Sequence, residues 1–148
     1  MQHRPAPSLP PVSTLIHSIR TESRRILVAG GDPRMRIAVT SLLRQDGYTV
    51  AQSADDPELL DHIACSLSSP PWHEPIGAVI LDARDEWSSL ELLSKLRARD
   101  WATPVVVLIA RGDLETMEEA RRLGASLVLP LPIAPDDLRD ALLAVMPL

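Results

Sequence analysis

The sequence predicts an α/β fold: a doubly wound, five-stranded parallel sheet in the order 2-1-3-4-5, with helices on both faces. Five short apolar runs alternate with five segments whose apolar residues recur at helical spacing, the pattern of repeated strand–helix units. The run Val105 to Ile109 is apolar without alternation, as a central strand covered on both faces requires. Right-handed crossovers leave few topologies for such a chain, and 2-1-3-4-5 is a common small one. A length of 148 residues with 45% apolar content suits one such domain.

The elements follow in order. Ile26–Ala29 is the first strand and ends in Gly30-Gly31-Asp32-Pro33. Met35, Ala38, Val39, Leu42 and Leu43 then mark a helix that stops at Asp46-Gly47. Tyr48–Gln52 is the second strand. Asp56 reads as an N-cap with Pro57 at the first helical position, and Leu59, Leu60, Ile63 and Leu67 as the buried stripe. The stretch from Ser68 to Pro75, rich in proline, breaks that helix into a loop. Gly77–Leu81 is the third strand, followed directly by Asp82. Ser88 and Glu91 have the spacing of a capping box for a helix carrying Leu90, Leu93 and Leu96. Pro104–Ala110 is the fourth strand. Asp113 caps a helix with Met117, Ala120 and Leu123 that terminates at Gly124. Ser126–Leu131 is the fifth strand, and Pro135, Asp136 and Asp137 open a last helix with Leu138, Leu142 and Val145.

Charge and composition exclude several functions. Four arginines against one glutamate give residues 1–25 a net charge of +3, whereas the remainder carries eleven basic and nineteen acidic residues. With Pro5, Pro7, Pro10 and Pro11 in that basic stretch, residues 1–24 read as a flexible arm and residues 25–148 as the folded domain. The overall charge of -5 argues against a nucleic-acid partner. No apolar run approaches the roughly 20 residues that cross a bilayer, and the first residues lack a secretory apolar core, so a cytoplasmic protein is expected. A single cysteine, Cys65, excludes an internal disulfide framework; it reads as a small core or boundary residue in the second helix.

In a sheet of this topology the working site lies at the carboxyl ends of the strands. The segments found there and nearby, ILVAGGDPRMR, AVILDARDE, PVVVLIARGD and a glycine-ended helix followed by LVLPLP, resemble the receiver domain of two-component response regulators. The resemblance covers about residues 25–146 and implies the flavodoxin-like sheet already read from the pattern. It also implies that Asp82, directly after the third strand, stands at the family's phosphoacceptor position.

The departures from that family decide the functional expectation. Its acidic pair after strand one, which holds Mg²⁺, is matched by Gly30 and Gly31. Its hydroxyl at the end of strand four is matched by Ile109, its lysine after strand five by Leu131 before Pro132, and its strand-five aromatic by Val128. Phosphoryl transfer to a carboxylate brings negative charges together, which the family neutralises with a cation and a lysine. Mg²⁺ demands oxygen ligands in near-octahedral array, and glycine offers only backbone. The expectation is therefore a pseudo-receiver with no catalytic residues and no cofactor, Asp82 persisting as a hydrogen-bonded carboxylate.

Rival assignments remain open. Asp32, Asp82 and Glu86 could form a displaced Mg²⁺ site, making the chain a working phosphorelay receiver with Asp82 as acceptor. Against this, Asp32 before Pro33 suits a helix cap, and Asp85 and Glu86 suit solvated loop charges. The Gly30-Gly31 turn could cradle a small anion or nucleotide, although it matches neither the dinucleotide fingerprint nor the P-loop. An enzyme is not expected, because no nucleophile–base pair is present. His3, His17, His62 and His73 show no metal spacing and read as surface histidines. Trp87, and less so Trp72 and Trp101, are candidate partner anchors. The expected partner is a signalling protein (a kinase, a receptor complex or an output protein) or a second copy of the chain. The residues outside the domain are too few for an output domain, so output is expected through a partner or a longer parent protein.

Overall fold

A computed structural model describes residues 24–68, 75–84 and 89–146. The arm to residue 23, Trp72, His73, Asp85, Glu86, Trp87 and Ser88 therefore lie outside the described residues. In chain order the elements are β1 Arg25–Ala29, α1 Pro33–Gln45, β2 Thr49–Ser53, α2 Asp56–Ser68 and β3 Ile76–Asp82, then α3 Ser89–Arg97, β4 Val105–Ala110, α4 Leu114–Arg122, β5 Leu127–Leu131 and α5 Pro135–Val145. The strands form one parallel sheet in the order β2-β1-β3-β4-β5. Fold class and strand order thus agree with the sequence pattern, and the strand limits differ by a residue or so.

Alternation along the strands divides the core in two. Leu27, Ala29, Val79, Leu81, Val105, Val107 and Ile109 face one way and pack with Leu59, Ile63, Leu93 and Ala120 from α2, α3 and α4. Ile26, Val28, Ala78, Ile80, Val106 and Leu108 face the other way, against Met35, Val39, Leu43, Leu138 and Leu142 from α1 and α5. All five apolar residues of β4 up to Ile109 are buried, each filling one of the two cores in turn. Among the described residues no helix is long and apolar enough to cross a membrane.

Three readings of α2 need correction. Its cap is Asp55, whose side chain accepts the Glu58 N–H at 2.9 Å while the Glu58 carboxylate accepts the Ala54 N–H at 2.9 Å. The helix begins one residue earlier than Pro57 implied. Leu60 and Leu67 are 43% and 70% exposed, because only Leu59 and Ile63 lie on the stripe turned to the sheet. Cys65, two residues beyond Ile63, is exposed rather than part of a core or its boundary. His62 is half-buried, and its Nε2 donates to the Gln52 carbonyl at 3.2 Å, tying α2 to β2.

The far end of the sheet is stapled by Arg97. Its Nε donates to the Gly124 carbonyl at 3.1 Å, and its Nη1 reaches the carbonyls of Trp101 and Thr103 at 2.8 Å each. The guanidinium also lies 5.1 Å from the centre of the Trp101 ring, and burial pushes its pKa down. Trp101 is thereby committed to the domain's own packing. Gly124 takes a φ of +112°, and a Cβ there would stand 2.7 Å from Arg97 Cγ. Gly112 has a φ of +86° with open space around it. Gly112→Ala should therefore cost about 1 kcal/mol and Gly124→Ala about 2–3 kcal/mol in urea unfolding. Equal losses would mean that the Arg97 contact adds nothing.

Candidate functional site

The loops at the carboxyl ends of β1 and β3 meet at Asp82. Its neighbours in the sheet are β1 on one side and β4 on the other, where it pairs with Leu108. Only 1% of its side chain is exposed. Moving a carboxylate out of water costs several kcal/mol unless a cation and hydrogen bonds replace the solvent.

Arg84 provides that replacement. Its Nε donates to Asp82 Oδ1 at 2.9 Å, its Nη2 to Oδ2 at 2.8 Å, and its backbone N–H to Oδ1 at 3.0 Å. This fork-on-fork geometry is the strong form of an arginine–carboxylate pair. The same Nη2 reaches Asp32 Oδ2 at 3.3 Å, so one guanidinium lies between the two carboxylates. Donating to the Asp82 carboxylate holds the Arg84 guanidinium above its usual pKa. Arg84 is 32% exposed and forms the lid over a nearly inaccessible acid.

Asp32 has a second task. Its Oδ1 accepts the Arg34 N–H at 2.9 Å, capping α1, where Pro33 occupies the start of the helix. That backbone hydrogen bond, with smaller help from Arg84, lowers the Asp32 pKa from its usual 3.8.

Gly30 permits the arrangement. It is buried, and a Cβ on it would stand 2.8 Å from Asp82 Cβ and 2.7 Å from Met35 Cε. Any side chain here would displace Asp82, so the position cannot carry a metal-binding acid with the chain as it stands. The Gly30 N–H donates to the Ser53 carbonyl at 3.0 Å, and its own carbonyl accepts from Arg36. The turn has spent the N–H with which an anion cradle would begin. Gly31 is exposed.

The other candidate positions are apolar in place as well as in sequence. Ile109 is 2% exposed and packs with Val128 and Ala120 in one core. Leu131, opposite Ala110 at the end of β5, is half-buried and forms part of a groove wall. Of the proposed metal trio, Asp32 and Asp82 come together around a guanidinium, and Glu86 lies outside the described residues. Among the described residues no cluster of three or more His, Cys, Asp or Glu could hold a metal. The donor set does not fit Mg²⁺, because a bound cationic side chain fills the space between the carboxylates. Arg84 is the functional residue that the sequence reading passed over. Its signal was a basic residue two positions past a strand-end aspartate, where the chain turns back on the carboxylate.

A family model for the response regulator receiver domain matches residues 26–143. The chain belongs to the response regulator receiver family. Sporulation initiation phosphotransferase F of Bacillus subtilis is 25% identical over 127 residues, covering 85% of this chain and 96% of that protein. The response regulator MprA of Mycolicibacterium vanbaalenii is 32% identical over 123 residues, 82% of this chain. This receiver spans about half of that regulator, 50% of its length. A response regulator receiver domain from Clostridium thermocellum superposes with a TM-score of 0.71 at 24% identity, covering 82% of this chain and 93% of that one. At that identity the likeness shows the fold alone. This receiver is thus a domain of the two-component signalling type, with an arginine against the aspartate that ends β3.

Two outcomes follow from the geometry. In a double-mutant cycle of Asp82→Asn and Arg84→Met, urea unfolding should show a coupling of about 1–3 kcal/mol, and simple additivity would refute the clamp. The stability that Asp32 contributes is fully present above pH 3.8, its usual value, and is lost as the pH falls through its depressed folded pKa. Unfolding titrations between pH 2 and 6 should accordingly show a flatter acid limb for Asp32→Asn than for the parent.

Proposed function

We propose that this receiver works without phosphorylation, as a protein–protein interaction module of a two-component or phosphorelay pathway. The observation that carries the reading is the bidentate Arg84–Asp82 pair. A phosphoacceptor has to present one carboxylate oxygen to a phosphoryl donor and share the other with a divalent cation. Here both oxygens are engaged by one side chain of the same chain, 1% of the Asp82 side chain is exposed, and Arg84 would have to leave first.

The remaining positions support the same reading. Ile109 presents no hydroxyl to a phosphoryl oxygen, and Leu131 brings no charge. A receiver that changes state on phosphorylation needs both groups to read the new charge. With neither present, this one is held in a single state by Arg84 and acts through its surface on a kinase, a receptor complex or an output protein. It needs no cofactor and performs no catalysis of its own.

A second reading, a phosphorelay receiver with Asp82 as acceptor, draws on the likeness to a protein named a phosphotransferase and on Asp82 standing at the end of β3. One experiment separates the two. The chain and its Arg84→Ala variant are treated with Mg²⁺ and beryllofluoride, followed by tryptophan fluorescence and by amide NMR at Asp82 and Ala83. The proposal expects no saturable Mg²⁺ response up to about 10 mM in the parent, well above ordinary receptor-type divalent affinities. A millimolar response in the parent that disappears in Asp82→Asn would establish the phosphorelay reading instead.

A further inference from the structure

Between α1, α5 and the loop that follows β5 lies a groove with a cavity volume of about 640 Å³. Its floor is apolar: Met35 and Val39 from α1 and Leu138 from α5 are buried, with Leu42, Leu131 and Ile133 half-buried at its walls. A volume in the hundreds of cubic ångströms, mostly apolar and with a few convergent polar groups, is the usual form of a small-molecule site.

The polar groups converge at one end. Arg34, Arg84 and Arg111 line the rim there, with Asp32 as the acid among them. Asp32 is consumed by the Arg34 N–H and by Arg84, and Arg84 is consumed by Asp82. The other two arginines keep capacity. Arg111 makes one long bond, from Nη2 to the Pro132 carbonyl at 3.4 Å, and the Arg34 guanidinium has no acceptor among the described residues. Leu131 matters here in its own right, because a charged residue at the end of β5 would interrupt the apolar wall. The groove therefore offers an apolar channel whose lining includes two under-used guanidinium groups.

We infer that this groove binds an amphipathic organic anion, a small molecule with an acyl or aryl body and one carboxylate or sulfonate head. The body lies over Met35, Val39 and Leu138, where it replaces water on apolar surface. The head pairs with Arg34 and Arg111, for which such an oxyanion is the fitting acceptor. A neutral ligand of the same shape would leave both arginines hydrated and gain only the apolar contact. The inference requires no phosphoryl chemistry, so it stands or falls apart from the magnesium experiment.

The test uses the full chain with 8-anilinonaphthalene-1-sulfonate as probe, N-phenyl-1-naphthylamine as its neutral counterpart, and decanoate as competitor. The sulfonate should bind at one saturable site in the micromolar range, shift the amides of Ala38, Leu42 and Ile133, and be displaced by decanoate. The neutral probe should bind at least tenfold more weakly. Arg34→Ala with Arg111→Ala, both exposed positions, should weaken the sulfonate at least tenfold while the melting temperature holds. Ala38→Trp, which fills the groove from an exposed position on α1, should abolish binding. Equal affinity for the two probes, unchanged affinity in the double variant, or amide shifts scattered over the surface would overturn the inference. So would refusal of both probes, which would leave the groove to an acidic helix of a partner protein.

Discussion

A carboxylate sealed from water at the end of a central strand must meet a cation, and the nature of that cation governs the surroundings of Asp82. A hydrated divalent ion would need further oxygen ligands from the loop after β1, with space between the carboxylates to hold it. A guanidinium needs neither, because it carries its charge on a tether and satisfies both oxygens of one carboxylate in a plane. Arg84 is two residues from Asp82, so the chain provides the counter-ion from within the same turn. With the charge settled locally, the loop after β1 is free to shrink to glycine and let the two strand ends approach.

That approach is tight. Gly30, Met35 and Asp82 pack so closely that even one added carbon at Gly30 would press on both neighbours. Glycine at position 30 and arginine at position 84 are thus two parts of one arrangement. The arginine supplies the cation that the buried carboxylate needs, and the glycine gives the clamped aspartate its place. The apolar residues around it complete it. Ile109 and Val128 knit into the core on one side of the sheet, and Leu131 extends the groove on the other. The carboxyl end of the sheet thus sets a neutralised aspartate beside an apolar channel rimmed by arginines.

The second staple, Arg97, shows the same economy at the opposite end of the sheet. It gathers three backbone carbonyls and a tryptophan face, joining α3 to the turns before β4 and after α4. Both arginines act by ending chain segments that would otherwise leave polar groups unmatched.

Fold class, strand order and the position of Asp82 were legible in the sequence because they rest on local periodicity, glycine and proline punctuation, and the steric rules of strand–helix units. That Gly30, Gly31, Ile109 and Leu131 bring no acid, hydroxyl or ammonium to the strand ends was legible too, because a side chain's chemistry does not depend on where its neighbours lie. Helix faces were read less well. Leu60, Leu67 and Cys65 looked buried or bordering on it, but which leucine meets the sheet depends on how α2 is rotated, and its cap at Asp55 sets that start. Arg84 was invisible as a site residue for a related reason. Sequence records that a cation stands near an aspartate, whereas burial decides whether the pair is a passing surface contact or a clamp, and only the packed sheet excludes the water that would keep them apart.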